Sequence, residues 1–127
     1  MLRKLFFLLC VVTLTACMTG QPVYNADDVR FSQTLTRVQA KHAIEQALKY
    51  KRWGVVSANE QEVIGEIYVR SHYAKIRIPY SSTGFSIRYV DSKNLDYDSD
   101  DNEIHRNYNK WVALLEAEVL RYASLEE

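Results

Sequence analysis

Cys17 has the most specific chemistry in this chain, because of the residues that precede it. Residues 14–16 are Leu, Thr and Ala, and this aliphatic-small-small-Cys pattern is typical of the site where bacterial lipoprotein signals are cleaved and the thiol is acylated. Basic residues at 3–4 precede an apolar run at 5–12. That run has the length of a signal-peptide core but is too short to span a bilayer. We predict that residues 1–16 are removed and that Cys17 is lipidated.

Lipidation of Cys17 would give the protein a membrane address. A thioether-linked diacylglycerol and an amide-linked fatty acid such as palmitate would bury several acyl chains, and multiple chains make attachment close to permanent. Met18, rather than Asp, follows the cysteine. In bacteria with two membranes, lipoproteins with such a residue generally pass to the outer membrane, so we expect the domain there, facing the periplasm. The alternative is an ordinary cleaved signal peptide, which would leave Cys17 as an incidental thiol.

A second group of chemically capable side chains is predicted on one face of a sheet. Apolar residues alternate in the central part of the chain, and the predicted strand pairing puts Glu66, Arg77 and Arg88 in one row, with Tyr68 and Lys75 in the next. Guanidinium groups grip carboxylates and phosphates while tyrosine rings stack, so this face would receive an anionic or sugar-like group. The alternative is a solvated face on which Glu66 pairs with Arg77, a contact worth about 0.2–1 kcal/mol.

The acidic segment before the last helix resembles a calcium loop only at its start. Asp96, Asp98 and Asp100 alternate as calcium ligands do, but the loop would need Gly at its sixth position and Glu at its twelfth. Asp101 and Asn107 occupy those positions. The three histidines of the chain also lack a paired spacing such as i and i+4. We therefore predict no metal and no cofactor, and we assign these acids to the amino end of a helix.

The carboxy-terminal half carries two linked residue patterns. They are Ser92, Asn94, Leu95 and Tyr97, followed by Ile104, His105, Tyr108, Asn109, Trp111 and Val112. In these residues the chain resembles a group of small bacterial lipoproteins. A weaker likeness reaches back to Trp53 and Gly54. The resemblance implies a fold and an envelope location but no activity. Packing does not readily explain the polar members, which either pin the segment 91–102 to the last helix by side chain to backbone bonds or line a small polar pocket. That candidate set is Tyr80, Ser92, Asn94, Tyr97, His105, Tyr108 and Asn109.

Two helices and four strands would position these groups. Thr36 and Gln39 fit a capping box at the start of a helix that ends near Lys51, and a longer stripe from Ile104 to Tyr122 predicts the last helix. Short strands are predicted at about 53–57, 62–70, 73–80 and 85–90, with Val69 facing Ala74 and Tyr80 facing Phe85. The predicted fold is a two-layer α+β domain in the order α-β-β-β-β-α, a four-stranded antiparallel meander covered on one face by both helices.

Composition limits the number of domains and the classes of ligand. Removal of the first 16 of 127 residues leaves 111, enough for a single domain, which we place at 34–125 after a flexible tether at 17–33. Loss of two basic residues leaves 14 basic and 16 acidic ones, so no strong positive field would attract nucleic acid. Cys10 leaves with the signal and Cys17 is acylated, so the mature chain has no disulfide and no thiolate metal site.

The functional prediction is a lipid-anchored envelope protein without catalytic activity. It would bind a protein partner or a cell-wall component through the sheet face or the pocket region. One alternative is a small hydrolase or sugar-modifying enzyme that uses His105 with a neighbouring carboxylate. A second alternative is a structural accessory subunit of an envelope complex.

Overall fold

A computed structural model describes residues 20–126 of the chain. The elements in that range are β1 (Gly20–Pro22), β2 (Ala26–Arg30), α1 (Arg37–Tyr50), β3 (Gly54–Ala58), β4 (Glu62–Val69), β5 (His72–Pro79), β6 (Gly84–Lys93), β7 (Glu103–His105) and α2 (Arg106–Ser124). Five strands form an antiparallel sheet in the order β2-β6-β5-β4-β3, and β1 pairs separately with β7. The α+β class and the meander from β3 to β6 are confirmed. The sheet has five strands rather than the predicted four, because β2 pairs with β6.

Helix α1 begins as its sequence predicts. Thr36 Oγ1 accepts from the Gln39 backbone N–H at 3.1 Å, and Gln39 Oε1 accepts from the Thr36 N–H at 3.0 Å, which completes the capping box. The buried side of the helix carries small residues, and it lies close to the sheet. A Cβ added to Gly65 on β4 would come within 3.0 Å of Leu48 Cδ2. The absence of a side chain at Gly65 therefore permits this close approach of helix to sheet.

Helix α2 buries most of its predicted apolar stripe. Four of the stripe residues on the helix are fully buried, and they are Tyr108, Val112, Leu115 and Val119; Ile104, just before the helix, is fully buried as well. Trp111 and Tyr122, also predicted on this stripe, are only partly buried. The helix begins at Arg106 rather than at Ile104, because Glu103–His105 form β7. The His105 side chain then caps the helix by accepting from the Asn107 N–H at 3.1 Å.

The β4–β5 hairpin has a register that differs from the prediction by two residues. Val69 lies opposite His72, not opposite Ala74. The two-residue turn is at 70–71 instead of 71–72, because Arg70 adopts the left-handed conformation with φ 56°, and moving a turn by one residue shifts the pairing by two. An even shift keeps the same side chains on the buried face. The core is therefore as predicted, whereas the rows on the outer face change.

The β5–β6 hairpin has the predicted register near its turn. Tyr80 pairs with Phe85 and Ile76 pairs with Tyr89. Beyond Ile76 the register shifts by one residue, so that Lys75 lies opposite Asp91. This bulge bends the end of β6 and brings its later residues onto the same outer face as β4 and β5.

The amino-terminal segment differs most from the prediction. A flexible tether at 17–33 does not describe the structure from Gly20 onward, since β1 and β2 lie within that range. Phe31 is 8% exposed, and its ring centroid is 5.7 Å from that of Phe85. The pairing of β2 with β6 is interrupted by a bulge between Ala26 and Val29, which removes the alternating pattern from its short polar sequence. The folded unit therefore begins by Gly20, not at residue 34.

The predicted signal peptide and Cys17 lie outside the described residues. Among residues 20–126, neither helix is both long and apolar enough to cross a membrane.

Candidate functional site

The outer face of the sheet carries the predicted binding residues, in rows that follow the corrected register. Across neighbouring strands, Glu66 lies opposite Lys75, Tyr68 opposite Tyr73, and Arg77 opposite Arg88. The prediction that Glu66 shares a row with the two arginines is wrong, because the two-residue shift puts Ile64 in that row. Arg77 and Arg88 are neighbours as predicted.

Both arginines of this face already have carboxylate partners. Arg77 Nη1 lies 3.3 Å from Glu62 Oε2, and Arg88 Nη2 lies 3.3 Å from Asp27 Oδ1. An incoming anion would have to compete with these carboxylates for the guanidinium groups. The geometry therefore does not support binding of an anionic ligand by the two arginines. It favours the interpretation of this face as a surface of mixed charge.

A tyrosine pair is the most prominent feature of this face. Tyr68 is 70% exposed, and its ring centroid lies 4.8 Å from that of Tyr73. The Tyr73 hydroxyl donates to Glu66 Oε2 at 3.0 Å, and Lys93 Nζ lies 5.6 Å from the centre of the Tyr73 ring. Burial and the neighbouring Glu66 carboxylate raise the pKa of Tyr73 to about 12. Tyr73 is thus held in place and supports an exposed Tyr68.

Asn94 pins a loop, although its partner is not the predicted one. Its backbone is left-handed with φ 56°, its Nδ2 donates to the Ser71 carbonyl at 2.7 Å, and its own carbonyl accepts from His72 Nδ1 at 2.6 Å. These bonds fix the segment after β6 to the β4–β5 turn. Pinning to helix α2 was predicted, so the anchor point is corrected, while the role as a pin is supported.

His105 stabilises the start of α2 and the loop that precedes it. Its backbone N–H donates to the Leu95 carbonyl at 2.8 Å, and its Nδ1 accepts from the Asn107 amide. Its ring stacks 6.3 Å from that of His72. Within residues 20–126, the His105 side chain forms no hydrogen bond or ion pair with a carboxylate, and no cluster of three or more His, Cys, Asp or Glu could hold a metal ion. The hydrolase alternative stays a prediction that no observed contact favours.

The predicted polar pocket is not one site. The Tyr89 ring lies 4.2 Å from Tyr97 and 5.6 Å from Tyr108, and the Tyr89 hydroxyl is 2.7 Å from Ser92 Oγ. Tyr80 is elsewhere, since its hydroxyl donates to the Asn59 carbonyl at 2.6 Å near the β3–β4 turn. Tyr97, Ser92 and Asn94 border a cavity of about 700 Å³.

Tyr108 is fully buried behind the Tyr89 ring. Its hydroxyl has no hydrogen-bond partner in the part of the chain that the structure describes. Burial, with a smaller contribution from Tyr89, raises the pKa of Tyr108. This hydroxyl is thus kept neutral, and we assign Tyr108 to the core.

Asn109 fixes the amino-terminal segment to α2. Its Nδ2 donates to the Pro22 carbonyl at 2.9 Å, and its Oδ1 accepts from the Tyr24 N–H at 2.9 Å. The Tyr24 hydroxyl donates to Glu116, and this hydrogen bond, with burial, raises the pKa of Tyr24 to about 12. Asn109 therefore pins residues 22–24 and not the predicted segment at 91–102. Gly20, the first residue that the structure describes, lies opposite His105, next to the start of α2.

A basic cleft was missed by reasoning from the sequence. It has a volume of about 460 Å³ and lies between the end of α1, the end of β4 and one side of α2. Its lining includes Lys51, Arg52, Trp53, Tyr68, Arg70, Trp111 and Leu114. The available signal was a basic pair directly after a helix and a basic residue at a tight turn, but those positions meet only in the folded chain.

Comparison with known protein families, curated proteins and solved structures gave no match to this chain. The predicted likeness to small bacterial lipoproteins therefore stays a prediction. The function must be argued from the lipidation motif and from the surfaces described above.

Proposed function

We propose that this protein is a lipid-anchored bacterial envelope protein that binds a protein partner through the outer face of its sheet. Cys17 would attach it to the outer membrane, facing the periplasm, and the domain would act without catalysing a reaction. The single observation that carries the binding role is the tyrosine pair on the outer sheet face, in which Tyr68 is 70% exposed and packs against Tyr73.

The tyrosine pair has the properties of an interface anchor. Aromatic residues held rigidly before binding lose little conformational freedom in a complex, and they dominate the binding energy of many interfaces. Tyr73 is held by Glu66 and faces Lys93, so Tyr68 packs against a ring that is already fixed. This preorganisation favours a specific contact over an ordinary solvated surface.

The charges of this face favour a protein over a purely anionic ligand. Arg77 and Arg88 are paired with Glu62 and Asp27, and Lys75 lies opposite Glu66. Such alternation matches the polar rim of a protein interface, where charges set orientation and association rate. A cell-wall component or permanent membership of an envelope complex would use the same surface, and both are outcomes of the binding test.

Lipid anchoring is tested by replacing the one cysteine that would be acylated. In cells supplied with a traceable fatty acid, Cys17→Ser should abolish labelling and release the protein from the membrane fraction, because the acylated thiol is absent. Cys10→Ser is the matched control, since it changes the other cysteine but leaves the motif intact, and it should retain both properties. Labelling of the Cys17→Ser protein would contradict the proposal.

The binding face is tested by crosslinking in cells. A photoreactive amino acid at Tyr68 should give a discrete crosslinked protein, whereas the same group at Val38 should not. Val38 is the control because it is 78% exposed on α1. Equal products from both positions, or none from position 68, would contradict a sheet-face partner. Crosslinks released by a glycan-cleaving enzyme would instead identify a cell-wall component.

A further inference from the structure

The basic cleft has unpaired cations, unlike the outer sheet face. Lys51, Arg52 and Arg70 line it, and no Asp or Glu is among its lining residues. In residues 20–126 none of these three side chains forms an ion pair, whereas Arg77, Arg88 and Arg121 each do. Lys51 Nζ lies 5.8 Å from the centre of the Tyr50 ring, but no carboxylate of the described chain neutralises any of the three positive charges.

Two of these cations are held on an unusual backbone. Six non-glycine residues in the described range have positive φ, and four of them are Asn or Asp, which tolerate that conformation. The other two are Arg52 at φ 65° and Arg70 at φ 56°, and both line the cleft. Arg52 lies at the end of helix α1, where its N–H donates to the Lys49 carbonyl at 3.0 Å and the Trp53 N–H donates to the Leu48 carbonyl at 2.8 Å. Arg70 lies in the two-residue turn between β4 and β5. These two turns fix the backbone positions of both arginines at the cleft, and glycine would adopt either conformation without strain.

The remaining walls are apolar. Trp53 is 3% exposed, Trp111 is partly buried, and Leu114 is 42% exposed. Tryptophan is favoured at the boundary between lipid headgroups and acyl chains, because one part of the ring is apolar and its N–H is polar. Cations beside such a surface match a ligand with a phosphate joined to apolar groups.

The cleft lies at the end of the domain from which the anchor would leave. Gly20 pairs with His105. The His72 ring lies 6.3 Å from His105 and 6.4 Å from Trp111, so it bridges the anchor end and the cleft. Cys17 precedes Gly20 by three residues, which span at most roughly 10 Å. A lipidated Cys17 would hold the cleft close to the membrane surface.

We propose that this cleft binds the phosphate headgroup of an anionic phospholipid in the membrane that holds Cys17. The phosphate would contact Lys51, Arg52 and Arg70, and the glycerol and first methylenes of the lipid would lie against Trp111 and Leu114. The choice of a membrane lipid over free phosphate rests on the proposed lipid anchor. Tyr68 borders both this cleft and the outer sheet face, so a bound headgroup would lie next to the tyrosine pair and would fix the orientation of the partner-binding face relative to the bilayer.

Intrinsic fluorescence gives a direct test, because the chain has two tryptophans and both line the cleft. Full-length protein in neutral detergent is titrated with dihexanoylphosphatidylglycerol, dihexanoylphosphatidylcholine or inorganic phosphate. Phosphatidylglycerol should shift the emission to shorter wavelength, and the other two should bind at least about tenfold more weakly. Equal binding of both lipids would overturn the proposal, and equal binding of phosphate would overturn the choice of a lipid.

Matched variants distinguish binding in the cleft from a general effect of positive charge on the protein. Replacing Lys51, Arg52 and Arg70 together by Gln should weaken phosphatidylglycerol binding about a hundredfold, from roughly fivefold per cation. The control replaces Lys75, Arg77 and Arg88 by Gln, which removes the same charge from the sheet face and should change binding less than about twofold. Equal effects of the two variants would overturn the proposal.

Two further measurements distinguish failure of the cleft proposal from failure of the lipid anchor. Quenching of wild-type fluorescence by vesicles with brominated phosphatidylglycerol, stronger than with brominated phosphatidylcholine, tests the cleft without any variant. The mass of the same preparation reports acylation. Unacylated protein that still binds phosphatidylglycerol would retain the cleft and reject the anchor, whereas acylated protein that shows no preference for phosphatidylglycerol would reject the cleft and retain the anchor.

Discussion

The outer sheet face and the basic cleft use similar residues in opposite ways. On the sheet face, Arg77 and Arg88 each lie beside a carboxylate. In the cleft, Arg52 and Arg70 have no such partner in the described part of the chain, and they sit beside Trp111. Paired charges make little net field and contribute to the shape of their own surface, whereas unpaired charges remain available to a ligand.

This difference shows why a count of arginines does not identify a binding site. Arginine and tyrosine on alternating strand positions predicted an anion site on the sheet face. The structure gives those arginines internal partners, and it gathers unpaired cations from a helix end and a turn. Whether an arginine is available to a ligand depends on whether a carboxylate lies within about 4 Å of its guanidinium group.

Among single substitutions, the largest expected effect comes from giving the cleft the carboxylate that it lacks. Leu114→Glu should weaken phosphatidylglycerol binding about thirtyfold, or about 2 kcal/mol, because the new charge cancels one cation and repels the phosphate. Tryptophan fluorescence titration measures it. Ala117→Glu adds the same charge on an exposed position of the same helix outside the cleft lining and should change affinity little. Equal affinities for the two variants would show that the cleft does not bind the headgroup.

On the sheet face, the next effect tests whether the tyrosine pair is truly held in place. Tyr73→Phe removes the hydrogen bond to Glu66 and should lower the free energy of unfolding by about 1 kcal/mol. Urea denaturation at pH 7 measures it. Tyr68→Phe is the control, because the Tyr68 hydroxyl makes no hydrogen bond within residues 20–126, and this change should leave stability nearly unchanged. If both variants lose the same stability, the Glu66 contact is not what holds the pair.

The same tyrosine predicts a pH dependence. Its pKa is raised from about 10 in the unfolded chain to about 12 in the folded domain, mainly by burial and then by Glu66. The stabilisation is complete below pH 10 and is lost as the pH rises towards 12, since only the unfolded state ionises in that window. Between pH 10 and 12 the stability of Tyr73→Phe should therefore fall less steeply than that of the wild type. Parallel curves would refute this assignment.

A stability effect of similar size separates a binding role of the cleft arginines from a structural one. Arg52→Gly and Arg70→Gly together should raise the free energy of unfolding by about 1 kcal/mol, because relief of the left-handed backbone exceeds the entropy cost of glycine. The same variant should bind phosphatidylglycerol more weakly. Thermal and urea unfolding measure the first effect and fluorescence the second. A loss of stability would mean that the arginines are structural.

The smallest effect comes from removing the partners of the sheet-face arginines. Glu62→Gln and Asp27→Asn should cost about 0.5 kcal/mol or less per pair, because these ion pairs are largely exposed. The freed Arg77 and Arg88 should then bind inorganic phosphate a few-fold more tightly, as seen in the NMR shifts of their Nε–H groups. Unchanged shifts would mean that pairing does not explain why this face lacks an anion site.

Local and periodic features of the fold could be predicted from the sequence. The capping box at Thr36 and the stripe on α2 depend on residues within a few turns of one another. Strand β2 could not be predicted, because its bulge erases the alternating pattern and its partner β6 lies far along the chain. The register of the β4–β5 hairpin depended on where the turn closes, and a left-handed Arg70 gives no signal in the sequence.

The candidate sites follow the same division. Arg77 and Arg88 were correctly placed as neighbours, because the β5–β6 hairpin is local. The cleft could not be predicted, since Arg52, Arg70 and Trp111 come from three elements that only tertiary packing brings together. Asn109 was recognised as a pin, but its partners in the amino-terminal segment lie more than 80 residues away.

The hydrogen bonds from Asn109 to the amino-terminal segment affect how tightly the cleft must bind the lipid headgroup. Because β1 is paired up to Gly20, only two residues separate the folded domain from Cys17. If Cys17 is lipidated as proposed, so short a link would make headgroup capture an intramolecular step, with an effective concentration on the order of millimolar. An intrinsic Kd of about 1 mM, or roughly 4 kcal/mol, would then be enough to keep the cleft about half occupied. The anchor and the cleft would reinforce each other, so that a site too weak to matter in solution would set the orientation of the domain at the membrane.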